Sequence, residues 1–196
     1  MSTARAGNGG APSPEQIAFV EEAMAKFGRQ TYNYAYRLTS NEADARDLAQ
    51  DAFIRVFRAW QSFRPGTSFL AWIYRIVTNL HRDELRRRKG IFTQPLPEDN
   101  QPQETPHAVT VHDPITAMHE QQLSPAMDRA LRGLTPEQRT VVILADVEDY
   151  SYQEIAQTVG CSIGTVRSRL HRARSQLRRL VQRERTPGVG GGAASI

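Results

Sequence analysis

Apolar residues recur along this chain at steps of three and four, in two stretches that cover most of its length, 14–89 and 124–185. That period belongs to helices with one covered side. In the first stretch, Ile17, Val20, Met24 and Phe27 mark a helix that starts at Pro14 and runs to Ala35 and beyond. Asn41 and the acidic residues after it restart the chain. The next helix, Ala43 to Trp60, gathers Leu48, Ala52, Phe53, Val56, Phe57 and Trp60 on half its circumference. Pro65 and Gly66 in QSFRPGTS then break the pattern. Thr67 or Ser68 can cap a helix from Phe69 to about Lys89, with Phe69, Ile73, Ile76 and Leu80 inward.

The second stretch is punctuated more sharply. Ser124-Pro125 opens a short helix that stops at Gly133, and Thr135-Pro136-Glu137-Gln138 combines an N-cap, a first-turn proline and a capping-box glutamine. The helix it starts carries Val141, Val142, Ile143 and Leu144. Ser151 and Glu154 form a second capping box, Gly160 supplies a turn, and Ile163, Val166, Leu170, Ala173 and Leu177 form one apolar stripe. The predicted fold class is all-α, with two small helical domains at 14–89 and 124–185. The second contains a helix-turn-helix over 152–171.

Composition adds a connector and two tails. Residues 1–13 and 186–196 are rich in Gly, Ala, Ser and Pro and carry too little apolar surface to order themselves. Residues 90–123 hold five prolines and no sustained period, which predicts a flexible linker. The formal net charge of +4 averages segments of opposite sign. Residues 1–89 hold 14 Lys/Arg against 9 Asp/Glu, residues 90–128 hold none against 6, and residues 129–196 hold 11 against 6. Two basic bodies on an acidic strap suggest two nucleic-acid contacts and a connector that avoids them.

No run approaches the roughly 20 apolar residues of a membrane span, and the N-terminus lacks the hydrophobic centre of a signal peptide, so a cytosolic protein is expected. Cys161, the single cysteine, cannot form an intrachain disulfide. Turn packing is its expected role and redox sensing the alternative.

The candidate chemistry is recognition rather than catalysis. Opposite its stripe, the last helix shows Gly164, Thr165, Ser168, His171, Arg172 and Ser175, flanked by Arg167, Arg169 and Arg174. Hydroxyls reach base edges, and guanidinium groups take guanine edges or phosphates. A merely solvated basic face competes with this reading, but cap, turn, stripe and small outward residues agree with major-groove docking. In the first domain, Arg75, Asn79, Arg82 and Arg86 line one side of a helix beside Phe63, Phe69, Trp72 and Tyr74. Bases freed from a duplex need aromatic or guanidinium planes to lie on. Trp72 fits the core equally well. Asp44, Asp47 and Asp51 form an acidic strip, read as a protein contact, as a solvated first turn favoured by the helix dipole, or as a weak metal site.

The segments DARDLAQDAFIRVFRAW (44–60), Ser62-Phe63 and FLAWIYRIVTN (69–79) resemble region 2 of the extracytoplasmic-function (ECF) sigma factors of bacterial RNA polymerase. LTPEQRTVVIL (134–144), YSYQEIA and GTVRSRLHRAR resemble region 4. The resemblance implies a non-enzymatic initiation factor without a cofactor. It further implies that Asp47, Gln50, Asp51 and Phe53 meet the clamp helices of the largest polymerase subunit, and that the second domain meets the flap of the second-largest. Phe63, Trp72, Arg75, Asn79 and Arg82 would then handle the opened −10 element, where reading a flipped base must recover its unstacking cost.

On the same basis Thr165, Arg167, Ser168, His171 and Arg172 would read the −35 element, with Arg169 and Arg174 on phosphates and Arg178 and Arg179 beyond the contact. The strap would thread toward the polymerase cleft, and an anti-sigma protein would be a regulatory partner. A dimeric helix-turn-helix regulator is the alternative, but it leaves the first domain's aromatic and acidic faces without purpose. A DNA-processing enzyme such as a recombinase would need a catalytic Ser, Tyr or carboxylate constellation that the sequence does not show.

Overall fold

The computed structural model describes residues 12–88, 90 and 124–185. The expected tails, apart from residues 12 and 13, and all of the expected linker except Gly90 lie outside them. Seven α-helices and one short 3-10 turn make up the described part, without a strand among the described residues.

The first unit comprises α1 (Pro14–Thr39), α2 (Glu42–Ala59), the turn Trp60–Ser62 and α3 (Phe69–Arg88). Local chemistry sets its boundaries. Ser13 accepts the Gln16 amide to start α1, Asn41 accepts the Asp44 amide to start α2, and Ser68 accepts the Ala71 amide at 3.3 Å to start α3. Ser68 is therefore the cap that was open between two residues.

The core side of α1 is not the stripe first expected. Ile17 and Met24 are 40% and 51% exposed, while Gln16, Val20, Ala23, Thr31, Tyr34, Ala35 and Leu38 are buried. The α3 stripe is also rotated: Phe69, Ile73, Tyr74, Val77, Thr78 and His81 lie inside, and Ile76 and Leu80 are only half-buried. Polar atoms admitted to this core find partners. The Tyr34 and Thr78 hydroxyls bond at 2.7 Å, and Gln16 Nε2 donates to the Phe57 carbonyl at 2.7 Å. Tyr34 also stacks on Tyr74 with ring centroids 4.1 Å apart.

The second unit comprises α4 (Pro125–Arg132), α5 (Pro136–Asp146), α6 (Tyr152–Val159) and α7 (Ile163–Arg185). Both capping boxes form, Thr135 with Gln138 and Ser151 with Glu154. Together such boxes contribute about 1 kcal/mol each to helices too short to persist alone. Val141, Val142, Ile143 and Leu144 are buried together with Ile155, Val166, Leu170, Ala173 and Leu177. Ile163 departs from the expected stripe: at the start of α7 it is 36% exposed.

The two units touch. Helix α5 meets α1, and α6 meets α3. The apolar period predicts the two units but carries no information on this contact between them.

Candidate nucleic-acid interface

The helix-turn-helix is built from its turn outward. Gly160 ends α6 with φ of 71°, in the left-handed region where a Cβ brings strain. Ser162 then accepts the Thr165 amide at 3.2 Å, starting α7. Val166, Leu170, Ala173 and Leu177 fasten α7 to the core, which forces the opposite face outward. Arg167, Ser168, His171 and Arg172 are all exposed on it. Among the described residues neither Arg167 nor Arg172 pairs with an acid, so both guanidinium groups are free for a polyanion.

Three other candidates on α7 are partly engaged. The Thr165 hydroxyl bonds the Ser162 hydroxyl at 2.9 Å. Arg169 is half-buried, with Nη1 3.9 Å from the Cys161 sulfur. Cys161 is itself half-buried in the turn, in keeping with packing there. Arg174 is held by Asp146, with Nε donating to Oδ2 at 3.1 Å and Nη2 to Oδ1, which raises its pKa further. A phosphate would have to share Arg174 with that carboxylate.

On the first unit, the expected −10 residues divide into two groups. Phe63 and Trp72 are half-buried in an aromatic cluster: Phe63 lies 5.7 Å from Phe19, 5.6 Å from Phe69 and 5.4 Å from Trp72 between ring centroids. Edge-to-face and tilted contacts of this kind stabilise the rings against each other. They form an aromatic wall at the 60–68 loop, with Phe63 and Trp72 each left partly exposed. Arg75, Asn79 and Arg82 follow along α3, all half-buried. Arg82 is the most committed. Its Nη2 donates to Asn79 Oδ1 at 3.1 Å and its Nη1 to the Val159 carbonyl, in the other unit, at 3.2 Å.

Of the expected polymerase-facing residues, Gln50 and Phe53 line a groove between α1 and α2, while Asp47 and Asp51 lie on α2 outside its lining. The groove has a volume of about 470 Å³, with Val20, Met24, Ala49, Phe53, Ile54 and Phe57 in its walls and Gln50 at its side. Phe53 is buried as part of the groove wall, whereas Asp47, Gln50 and Asp51 are exposed. Exposed Met24 and Ile54 beside it make an apolar patch of the kind that another protein covers. Asp44 does not join Asp47 and Asp51 in a cation site: it pairs with Arg88 at 3.2 Å. Among the described residues no three His, Cys, Asp or Glu side chains stand close enough to share a metal ion.

Three residues that matter to the arrangement were missed, and a fourth, Tyr74, was read only as part of the aromatic group beside the arginines of α3. Glu148, Arg37, Tyr74 and Arg139 tie the two units together. Glu148 Oε1 accepts from Arg37 Nη1 at 2.8 Å and Oε2 from the Tyr74 hydroxyl at 3.0 Å. Arg139 Nη1 donates to the Leu38 carbonyl at 2.8 Å while its Nε and Nη2 donate to the Leu131 and Arg132 carbonyls. One guanidinium thus closes the C-terminal ends of both α1 and α4, where helix dipoles favour a cation. The only local signal was Arg139 itself, a cation in the first turns of α5, where the dipole disfavours it.

A helix-turn-helix with an open cationic face, on a chain whose other helical unit carries an apolar groove and exposed acids on α2, defines the architecture of a two-part transcription factor. Residues 24–91 match Sigma-70 region 2 and residues 125–177 match Sigma-70, region 4. The chain is 44% identical over 160 residues to the ECF RNA polymerase sigma factor SigE of Mycolicibacterium smegmatis, covering 81% of this chain and 60% of that protein. It is 39% identical over 168 residues to SigM of Mycobacterium tuberculosis, covering 85% of this chain and 79% of the relative. Among solved structures, the sigma factor RpoE of Bartonella quintana, in complex with the anti-sigma factor NepR, aligns with a TM-score of 0.61 at 26% identity, covering 84% of this chain and 97% of that one. The chain belongs to the ECF RNA polymerase sigma factors of the sigma-70 family. It is therefore an initiation factor and not an enzyme. No helix among the described residues is long and apolar enough to cross a membrane.

Proposed function

We propose that this chain docks on core RNA polymerase through the α1–α2 groove and the exposed acidic residues of α2, and directs the enzyme to promoters with a −35 element read by α7 and a −10 element opened and held by α3 and the 60–68 loop. The observation that carries the reading is the outer face of α7. Arg167, Ser168, His171 and Arg172 are exposed together on a helix fixed by a buried stripe, the arrangement a major groove accepts.

The groove and acids supply the polymerase contact. Phe53 offers an apolar seat with the Gln50 amide beside it, and Asp47 and Asp51, exposed on the same helix, offer negative charge for the basic side chains of the clamp helices. The second unit meets the flap of the second-largest subunit. Phe63 and Trp72 receive a flipped base of the non-paired strand, while Arg75, Asn79 and Arg82 hold its backbone or edges. An anti-sigma protein is the regulatory partner, supported by the solved complex of the Bartonella quintana relative with NepR. The domains run 14–89 and 124–185.

Transcript mapping in cells that overproduce the protein yields both promoter elements. On such a promoter, sigma-free core polymerase should initiate only when this protein is added. A chain that fails to bind core in a pull-down, yet binds the duplex tightly alone, would instead be the dimeric regulator.

A further inference from the structure

We propose that the pocket between the start of α6 and the middle of α7 seats one backbone phosphate of the −35 duplex, and that Asp146 is its positioning residue, holding Arg174 aimed into it. The inference rests on the duplex-reading role given to α7 above. The pocket has a volume of about 320 Å³ and is lined by Tyr152 of α6 and by Arg167, Leu170, His171, Arg174 and Arg178 of α7. Leu170 is buried beneath the others, which are cationic, imidazole or phenolic side chains. Arg167, His171, Arg174 and Arg178 recur at steps of four, three and four, so they share one strip of the helix. Arg174 and Arg178, four residues apart, repel each other there, and a phosphate that accepts from both removes the repulsion. Arg178 was expected to lie beyond the contact, yet it lines the same pocket as two residues of the reading face, Arg167 and His171.

Asp146 ends α5 and stands outside that lining. Its two carboxylate oxygens take Nε and Nη2 of Arg174, which uses two of the five N–H donors of the guanidinium. Three donors remain for a ligand, and the Tyr152 hydroxyl stands beside the same group. A two-pronged grip fixes the guanidinium plane, so a phosphate need not freeze that long side chain itself. The side chains of Arg174 and Asp146 are 41% and 34% exposed, and an ion pair so open to water contributes little to stability. Its effect falls on the aim of Arg174 rather than on the fold. Among the described residues no acid lines the pocket, so the seat itself presents no negative charge to a phosphate.

Promoter binding by the full chain on core polymerase tests this, with anisotropy of the mapped promoter duplex read over a range of salt. Arg174→Ala removes one phosphate contact, which should lower affinity about fivefold at about 0.15 M salt and reduce the slope of log affinity against log salt by about 1. Arg178→Ala should do the same. Asp146→Ala should weaken binding about threefold, the cost of freezing a released arginine, with the melting temperature of the free chain unchanged. Asp146→Asn keeps one acceptor oxygen and should fall between. In an Arg174→Ala background, Asp146→Ala should cause no further loss, because it acts through Arg174 alone.

Tighter binding by Asp146→Ala would make the carboxylate a competitor of the phosphate and overturn the positioning role, as would no change. An equal loss with and without Arg174 would mark a merely structural effect and overturn it too. Full affinity in both arginine variants would empty the seat. Whether α7 reads the duplex at all is decided apart from this, by Arg172→Ala in the same complex: lower affinity there upholds the reading, and unchanged affinity removes it.

Discussion

Helix α7 holds Arg167, Ser168, His171 and Arg172 in solvent, whereas α3 keeps Arg75, Asn79 and Arg82 half-covered and commits Arg82 to a carbonyl of the other unit. Both helices are amphipathic, both carry arginine opposite an apolar stripe, and each is fixed by a buried row of branched or aromatic side chains. What differs is the cover over the polar side. On the proposed function the exposed face of α7 meets a duplex that is present before polymerase arrives. On the proposed function an opened strand exists only within the initiation complex, and the half-covered face of α3 is the one assigned to it.

The comparison breaks most severely from beneath. Leu170→Ala leaves a cavity under the exposed face of α7 and should destabilise the second unit by about 2–5 kcal/mol. Denaturant unfolding would detect the loss, and duplex binding would fall with it.

On the first unit, Asp51→Arg leaves the fold alone, since Asp51 is exposed. It brings a like charge to a basic partner and should weaken binding to core polymerase by about tenfold or more. Binding of a −35 duplex by the free chain should not change. Equal loss of both activities would indicate misfolding.

Arg172→Ala sharpens the contrast between faces. Loss of a bidentate base contact costs about 1–3 kcal/mol, roughly five- to 150-fold, in duplex affinity measured by anisotropy at fixed salt. The melting temperature should stay the same, because the guanidinium touches no core atom. Asn79→Ala should show the reverse pattern: unaltered duplex binding by the free chain and reduced promoter opening with polymerase.

The smallest expected effect is a pH dependence. Burial holds the His81 imidazole below its ordinary pKa of 6.5, with Arg139 and Arg88 pushing the same way and Glu84 and Asp44 opposing. The folded protein therefore prefers the neutral ring, and the unfolded chain takes up the proton first. Stability from this site is present above pH 6.5 and is lost as pH falls through the depressed folded pKa. His81→Gln should flatten the decline in melting temperature between about pH 7.5 and 5.5. An equal decline in both proteins would remove His81 as its source.

Features set within one turn of helix were legible before the structure. Thr135 with Gln138, Ser151 with Glu154, and Gly160 each act on neighbours three or four residues away, so the sequence window contains the whole interaction. The stripes were half legible. Periodicity shows that Ile17 and Met24 share a side with Val20, but not that both stay exposed, with Met24 in the wall of the groove.

The contact between units was not legible at all. Arg37 and Glu148 lie 111 residues apart, and neither stands out from its local pattern. The same limit applied to the candidate site. The outward face of α7 could be projected from the period alone, while the cover over Arg82 depends on a turn 77 residues further along.

The difference between the two faces is tested most directly by the fluorescence of 2-aminopurine placed at an unpaired position of the −10 element in a promoter duplex. Free protein should bind that duplex through α7 and leave the fluorescence at its paired level. Protein with core polymerase should raise it to the level of the single strand. A rise with the free protein alone, or none with the complete complex, would contradict the proposed division between α7 as duplex reader and α3 as strand reader.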